Sequence, residues 1–279
     1  MECTIIIPTK DRPTSLQFAL ASALASVTQY GEVLVVDDGS AVPVQRCLEK
    51  QGDPRLRVVR NEGKHGPAAA RNYGVREARN ELILFLDDDD LLLPGYAERV
   101  RKIAAGTDTK FGFSATREDA QLSARGLPDG PFPPEAPLSE RLAGLGMGFW
   151  IYRNAFIEAG GLDEDLLVNE DTEFYLRLAS LGVSGWYSRD PGVALRHSQG
   201  ATSSDLTSIT SRTSSNRRAR AFEVMLVRYE KLLKKHPRLR WSFKLRLAKY
   251  RMRDRNVLGA LRAIFGVMPH GGNVVENEV

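Results

Sequence analysis

The sequence predicts an α/β protein: a mostly parallel sheet flanked by helices, followed by a C-terminal helical extension. Two observations carry this. Over residues 3–105, short β-branched runs alternate with segments whose apolar residues recur at helical spacing, the pattern of a parallel sheet with crossover helices. Beyond residue 217 only helical periodicity remains, and the charge turns strongly basic.

The elements follow in order. Thr4–Ile7 is a β-branched run ended by Pro8 and predicts a first strand. Leu16, Leu20, Ala23, Leu24 and Val27 then recur at helical spacing within 14–27. Glu32–Val36 predicts a second strand, ended by Asp37, Asp38, Gly39 and Ser40. A helix is expected over 42–50 and a short strand over 57–59. Pro67 follows Gly66 and predicts the first turn of a helix running to Arg79. Leu82–Leu86 predicts a strand that runs into Asp87, Asp88, Asp89 and Asp90, and 95–105 is helical again. The polar clusters at Thr9, Asp37/Asp38, Asn61–His65 and Asp87–Asp90 all lie just after strands. In open parallel sheets ligands bind beyond the carboxyl ends of the strands, so these segments are expected to deliver polar groups to one rim.

Composition excludes several classes. The chain has 279 residues, 42% hydrophobic and 27% charged, which excludes a disordered chain, a collagen-like chain and a disulfide scaffold. Its two cysteines, Cys3 and Cys47, fit no metal-ligand spacing and point to a reducing compartment. Apolar runs are too short for a membrane span, and the N-terminal one is too short for a signal peptide, so a cytoplasmic location is expected. There is no Gly-x-Gly-x-x-Gly after the first strand and no P-loop, which argues against a dinucleotide-dependent dehydrogenase and a P-loop enzyme.

Four consecutive aspartates at a strand end have two readings. One is a solvated turn and helix cap. The other is a hard divalent cation, Mg²⁺ or Mn²⁺, held by one or two carboxylates together with substrate phosphates. Lys64 and His65, in a glycine-flanked loop, can approach a phosphate, although His65 also reads as a plain surface residue. Glu170, Asp171 and Glu173 open an apparent helix, where acids suit the helix dipole without any catalytic role.

In series, TIIIPT (Thr4–Thr9), EVLVVDDGS (Glu32–Ser40), NEGKHGPAAARN (Asn61–Asn72) and FLDDDD (Phe85–Asp90) resemble the family 2 glycosyltransferases of GT-A fold. GGLDE (Gly160–Glu164) and NED (Asn169–Asp171) are similar to that family's acceptor-side motifs, so the resemblance covers roughly residues 3–200. It implies a donor-binding half over 1–110 and an acceptor-binding, catalytic half of the same domain over 111–200. It also implies a set of roles. Pro8, Thr9, Asp37, Asp38, Lys64, Arg71, Asp87 and Asp88 would line the nucleotide site. Asp37 would accept a hydrogen bond from the ring N–H of uracil or thymine, although Asp38 and Ser40 also suit plain turn chemistry. Asp89 would be the direct ligand of Mn²⁺ or Mg²⁺, with Asp87 at ribose or metal. The run of four leaves the register open by one residue. His197 would be a further metal or diphosphate contact, and a lone histidine is also an ordinary structural residue. Asp171 would be the general base that takes the acceptor's proton, giving single displacement with inversion. Glu170 and Trp150 are expected at the acceptor. Trp150 or Trp186 would stack on a sugar, with core packing the alternative for at least one of them.

The resemblance therefore implies transfer of a sugar from a UDP- or dTDP-sugar to a hydroxyl of a glycan, glycolipid or other glycoconjugate. A sugar-1-phosphate nucleotidyltransferase is the alternative enzyme, but Pro8–Arg12 lacks the glycine-rich loop that it needs. A catalytically inactive sugar-nucleotide or nucleic-acid binding module is the alternative outside enzymes.

The end of the chain is distinct. A Ser/Thr-rich segment, 201–216, predicts a loop, and 217–279 a basic helical extension. Between Arg212 and Arg262 stand 17 Lys/Arg against 3 Asp/Glu. Trp241, Phe243 and Tyr250 lie among them, as in interfacial helices or nucleic-acid binders. Helices packed on the catalytic body with a solvated basic face are the plain reading. Peripheral, salt-reversible association with an anionic membrane at the inner face of the cell membrane is the added expectation, ahead of nucleic acid.

Overall fold

The computed structural model describes residues 1–48, 52–118, 121–142, 144–196 and 213–265. The described chain divides into two compact units, one of residues 1–165 and 170–207, the other of 166–169 and 208–279.

The first unit is built on one sheet of ten strands among the described residues. Strands β1 (Cys3–Thr9), β2 (Glu32–Asp37), β3 (Leu56–Arg60) and β4 (Leu82–Phe85) are parallel and lie in the order β3-β2-β1-β4. Beyond β4 the sheet is mixed. Strand β9 (Trp150–Tyr152) is inserted antiparallel between β4 and β6 (Phe111–Glu118). Then come β10 (Gly185–Leu195), parallel to β6, and the short antiparallel edge strand β5 (Leu91–Leu92). Strands β7 (Gln121–Ser123) and β8 (Gly130–Phe132) pair off this path with β6 and β10. The Pro- and Gly-rich segment 126–137 thus holds a three-residue strand.

Alternation along the buried strands sends side chains to two cores. Ile6, Leu34, Val36, Ile83 and Phe85 face one layer, with helices α3 (Pro67–Glu77), α6 (Arg153–Glu158) and α7 (Glu170–Ser180). Ile5, Ile7, Val33, Val35, Leu82 and Leu84 face the other, with α1 (Pro13–Ser26) and α4 (Tyr96–Gly106). Such continuous apolar strands are what a sheet covered on both faces requires. Pro13 and Pro67 each open their helix at its first turn, where a missing N–H costs nothing. Helix α2 is short, Val44–Leu48, and the end of the expected 42–50 helix lies outside the described residues. Helix α5 (Leu138–Arg141) completes the unit.

The sheet reverses its winding between β1 and β4. The chain steps from β1 to β2 on one side, then returns to place β4 on the other side of β1. That switch point is where an open α/β sheet forms its ligand crevice.

In the second unit, Ser214 caps α8 (Ser215–Arg228), its hydroxyl oxygen accepting from the Arg217 N–H at 3.4 Å. The helix therefore starts ahead of residue 217. Positions 201–212 of the expected loop lie outside the described residues. Tyr229 separates α8 from α9 (Glu230–Lys234), and Pro237 opens α10 (Pro237–Arg253). Arg255, at φ 59°, ends that run before α11 (Val257–Phe265). Phe222 packs edge-on against Phe243 and stacks with Tyr250, joining α8 to α10.

Candidate active site

The ends of β1, β2 and β4 and the start of α7 present one rim of charged side chains. At the switch point the Thr9 hydroxyl donates to Asp88 at 2.6 Å, tying the end of β1 to the end of β4. Arg12, just beyond β1, donates to Asp88 at 3.0 Å and to Asp89 at 2.9 Å. Sequence reasoning did not single out Arg12. The signal was a cation three residues beyond a strand end whose neighbouring strand ends in four acids.

The four aspartates alternate. The side chains of Asp87 and Asp89 are 33% and 48% exposed, whereas that of Asp88 is 8% exposed and Asp90 is buried. The carboxyls available to a ligand are therefore those of Asp87 and Asp89. Burial pushes Asp88 up to about 6 despite the Thr9 bond and Arg12. Burial, reinforced by Asp87 and Asp89, pushes Asp90 up to about 8, while Asp90 accepts from the Arg196 N–H at 3.2 Å. Gly146 leaves room for Asp87: a Cβ there would stand 2.6 Å from an Asp87 carboxylate oxygen.

Arg71 joins the two halves of the rim. It is buried in α3, donating to Asp87 at 2.6 Å and to Glu170 at 3.1 Å. Asp171 follows at the first turn of α7, and its carboxylate accepts the Thr172 N–H at 2.6 Å. Burial raises the carboxyls of Glu170, to about 7, and Asp171; Asp171 adds to the rise at Glu170, Asp87 adds to both, and Arg71 draws both back down. Glu170 is itself buried against Arg71, which makes it part of this cluster. Arg71, expected at the nucleotide, has both of its terminal nitrogens on carboxylates.

The turn after β2 is held by pairing of the same kind. Asp37 is buried, and its carboxylate accepts from the Ser40 N–H at 2.8 Å, the Val44 N–H at 3.2 Å and Arg60 at 2.7 Å. These bonds hold its pKa below the usual range against burial. Asp37 therefore shapes the turn, the role considered for Asp38 and Ser40. Asp38 accepts from Asn61 at 2.9 Å and from the Gly66 N–H at 2.8 Å, which draws the 61–66 loop against the end of β2. Lys64 on that loop pairs with Asp165 at 2.5 Å, and Pro8 lies within β1.

Trp150 is a correction. It is 0% exposed, part of the core beneath α1 and α4, and lies so close to Gly112 that a Cβ there would stand 2.6 Å from its indole. A ring with no exposed face cannot stack on a sugar. Trp186 is half-buried against the same core. His197 lies outside the described residues, and among the described residues no group of three His, Cys, Asp or Glu is arranged around a metal position.

The fold and this rim define an open α/β scaffold with its acids gathered at the switch point of the sheet. Residues 4–119 match the model of the family described as "Glycosyl transferase family 2". The chain is 29% identical over 182 residues to an uncharacterized glycosyltransferase of Haemophilus influenzae, covering 63% of this chain and 61% of that protein. It is 35% identical over 200 residues to the succinoglycan biosynthesis protein ExoU of Rhizobium meliloti, covering 64% of this chain and 57% of that protein. The chain thus spans less than two thirds of these relatives' lengths. Its fold is that of S. aureus TarS 1-349, solved in complex with UDP-GlcNAc, at a TM-score of 0.69 and 18% identity over 95% of this chain and 82% of that one.

Proposed function

We propose that the protein is an inverting glycosyltransferase that moves a sugar from a nucleoside-diphosphate donor to a hydroxyl of a glycan, glycolipid or other glycoconjugate. The observation that carries this reading is the Arg71 bridge. It holds the strand-end carboxylate of Asp87 and the helix-start pair Glu170 and Asp171 in one cluster. A donor-side acid and a candidate base thereby share one rim.

Asp171 takes the proton of the acceptor hydroxyl as its oxygen attacks the anomeric carbon. The bond to the diphosphate breaks on the opposite side, so one displacement inverts the centre. A carboxyl raised by burial suits this, because a stronger base is a better proton acceptor near neutral pH. Thr9, Asp88 and the 61–66 loop shape the donor crevice, and Asp38 braces that loop. A UDP- or dTDP-linked donor is the reading that the likeness to a protein solved with UDP-GlcNAc supports. Kinship with a succinoglycan biosynthesis protein supports a polysaccharide-building role. A lipid-linked acceptor is part of the same proposal.

Mn²⁺ or Mg²⁺ fits the donor set: Asp87 and Asp89 offer hard oxygens at the exposed positions of the run, and such ions bind through one or two carboxylates with substrate phosphates. Asp89 would hold the ion, which would offset the charge of the diphosphate leaving group.

UDP is expected to raise the melting temperature more with Mn²⁺ or Mg²⁺ than with EDTA, since only the native state binds the pair. Asp89→Ala should remove that metal dependence while leaving the unliganded melting temperature near that of the parent. Equal, negligible shifts by UDP, dTDP and GDP with and without metal would refute the donor site.

A further inference from the structure

Helix α11 is sorted in reverse for a helix at a protein surface. Its inward positions are small: Ala260 and Ala263 are buried and Gly259 is half-buried. Its outward positions are large and apolar: Val257, Leu258, Leu261 and Phe265 are exposed, Leu258 by 70% and Phe265 by 82%. Their spacing puts all four on one side of the helix, with exposed Arg262 at its margin. Helix α10 repeats the device in longer form. Trp241, Leu245 and Met252 are exposed along one stripe, and Arg238, Lys249 and Arg253 are exposed beside it. Lys244 donates to the Ile264 carbonyl at 3.3 Å, so the two helices are joined by more than packing.

Scattered apolar residues on a surface are ordinary; a row of four on one short helix is not. Charge identifies the partner. The segment from Arg212 to Arg262 holds 17 Lys/Arg and 3 Asp/Glu. Of those acids, Glu223 already pairs with Arg251 at 2.9 Å and Glu230 with Lys234 at 2.9 Å. A second copy of the chain would bring the same positive charge against this surface. Nucleic acid would meet the cations, but its bases stack on aromatic rings, and three of the four outward residues of α11 are aliphatic. An anionic bilayer meets both features, with headgroups for the cations and an acyl boundary for the apolar row.

We propose that α10 and α11 form a membrane-docking surface for anionic lipid, with Leu258, Leu261 and Phe265 entering the headgroup–acyl boundary and the basic residues lying among the headgroups. This revises the sequence-based expectation of attachment that is mainly electrostatic. Cation contacts weaken with salt, whereas the apolar row does not depend on it. No described helix is long and apolar enough to cross a membrane, so the surface lies on the bilayer and does not span it. The proposal does not depend on the transfer reaction, and its readout is independent of activity.

The test is co-sedimentation of the full chain with phosphatidylcholine vesicles, with and without phosphatidylglycerol, at low and high salt. The parent is expected on the anionic vesicles at low salt and, in reduced but measurable amount, at high salt. The triple variant Leu258→Ser, Leu261→Ser, Phe265→Ser should lose the high-salt fraction and bind at least about tenfold more weakly at low salt. These side chains are exposed, so an unchanged circular dichroism spectrum is expected; Leu258→Ser alone should give a smaller loss of the same kind. Equal sedimentation of the parent with neutral and anionic vesicles, or of parent and triple variant with anionic vesicles, overturns the proposal. So does a parent dimer in sedimentation velocity that the triple variant converts to monomer, which would make the face a contact between copies.

Discussion

Asp171→Asn is expected to bind the nucleotide-sugar donor as the parent does and to turn over about 10²-fold or more slowly, the scale that a positioned base contributes. Asn is nearly the same size. Its side-chain carbonyl can accept the Thr172 N–H bond that the Asp171 carboxylate accepts at 2.6 Å, so the first turn of α7 should keep its shape. What disappears is the group that can take a proton. Steady-state kinetics should place the loss in kcat, with donor affinity by calorimetry within a few-fold of the parent. Near-normal transfer by this variant would move the base to another group, Glu170 being the next to replace.

The pH profile of the parent should carry the mark of burial. Asp171 must be ionised to act, and its pKa is raised chiefly by burial, with Asp87 adding to the rise and Arg71 opposing it. Activity is therefore expected to climb with pH along a limb above the ordinary aspartate value of about 3.9. Glu170, raised to about 7, titrates with Asp171 as a pair, so the limb belongs to both. Stability runs the other way. The folded state holds these protons more tightly than the unfolded chain, so this contribution is fully present below the unfolded pKa values. It is lost as pH rises through the raised folded ones.

The rim was legible in the sequence because strand ends are. Once β1, β2 and β4 were placed, Thr9, Asp37, Asp38 and Asp87–Asp90 had to emerge on one edge of a parallel sheet. Asp171 was legible through a motif. Side-chain direction and partner choice were not, since they depend on contacts between distant segments. Asp37 faces Arg60 because β2 and β3 pair in a register that puts those two residues level. Trp150 is core because β9 slips antiparallel between β4 and β6, and a three-residue strand carries too little pattern to place it. The same insertion brings the stretch before β9 to the rim, where Gly146 makes space for Asp87. The helices of the extension were legible by periodicity, but their inverted sorting was not. Apolar spacing locates a face without saying whether it points into the protein or away from it.

Arg71→Met should be the most destabilising single change at the rim, at about 3–5 kcal/mol, the cost of removing one partner from a buried ion pair. Arg71 is 7% exposed and neutralises Asp87 and Glu170 together. Methionine fills much of the space but leaves those acids facing one another without a cation. Glu170 and its neighbour Asp171 can escape by binding protons, so the loss must depend on pH. Arg71 lowers the pKa values of both Glu170 and Asp171; without it both rise further above their unfolded values. The variant therefore keeps more of its stability near pH 5, where protonated acids need no partner, and loses most near pH 8. Chemical denaturation at the two pH values measures this directly. The same shift should move the acid limb of the activity profile to higher pH. Arg71→Lys should recover part of the stability, since it restores one charge but not the planar group that reaches two carboxylates at once. A contact from Arg71 to the nucleotide predicts otherwise: a raised KM for donor, an unmoved pH limb and a stability loss equal at both pH values. That set of results would return Arg71 to the donor and leave the acid pair to be held by some other group.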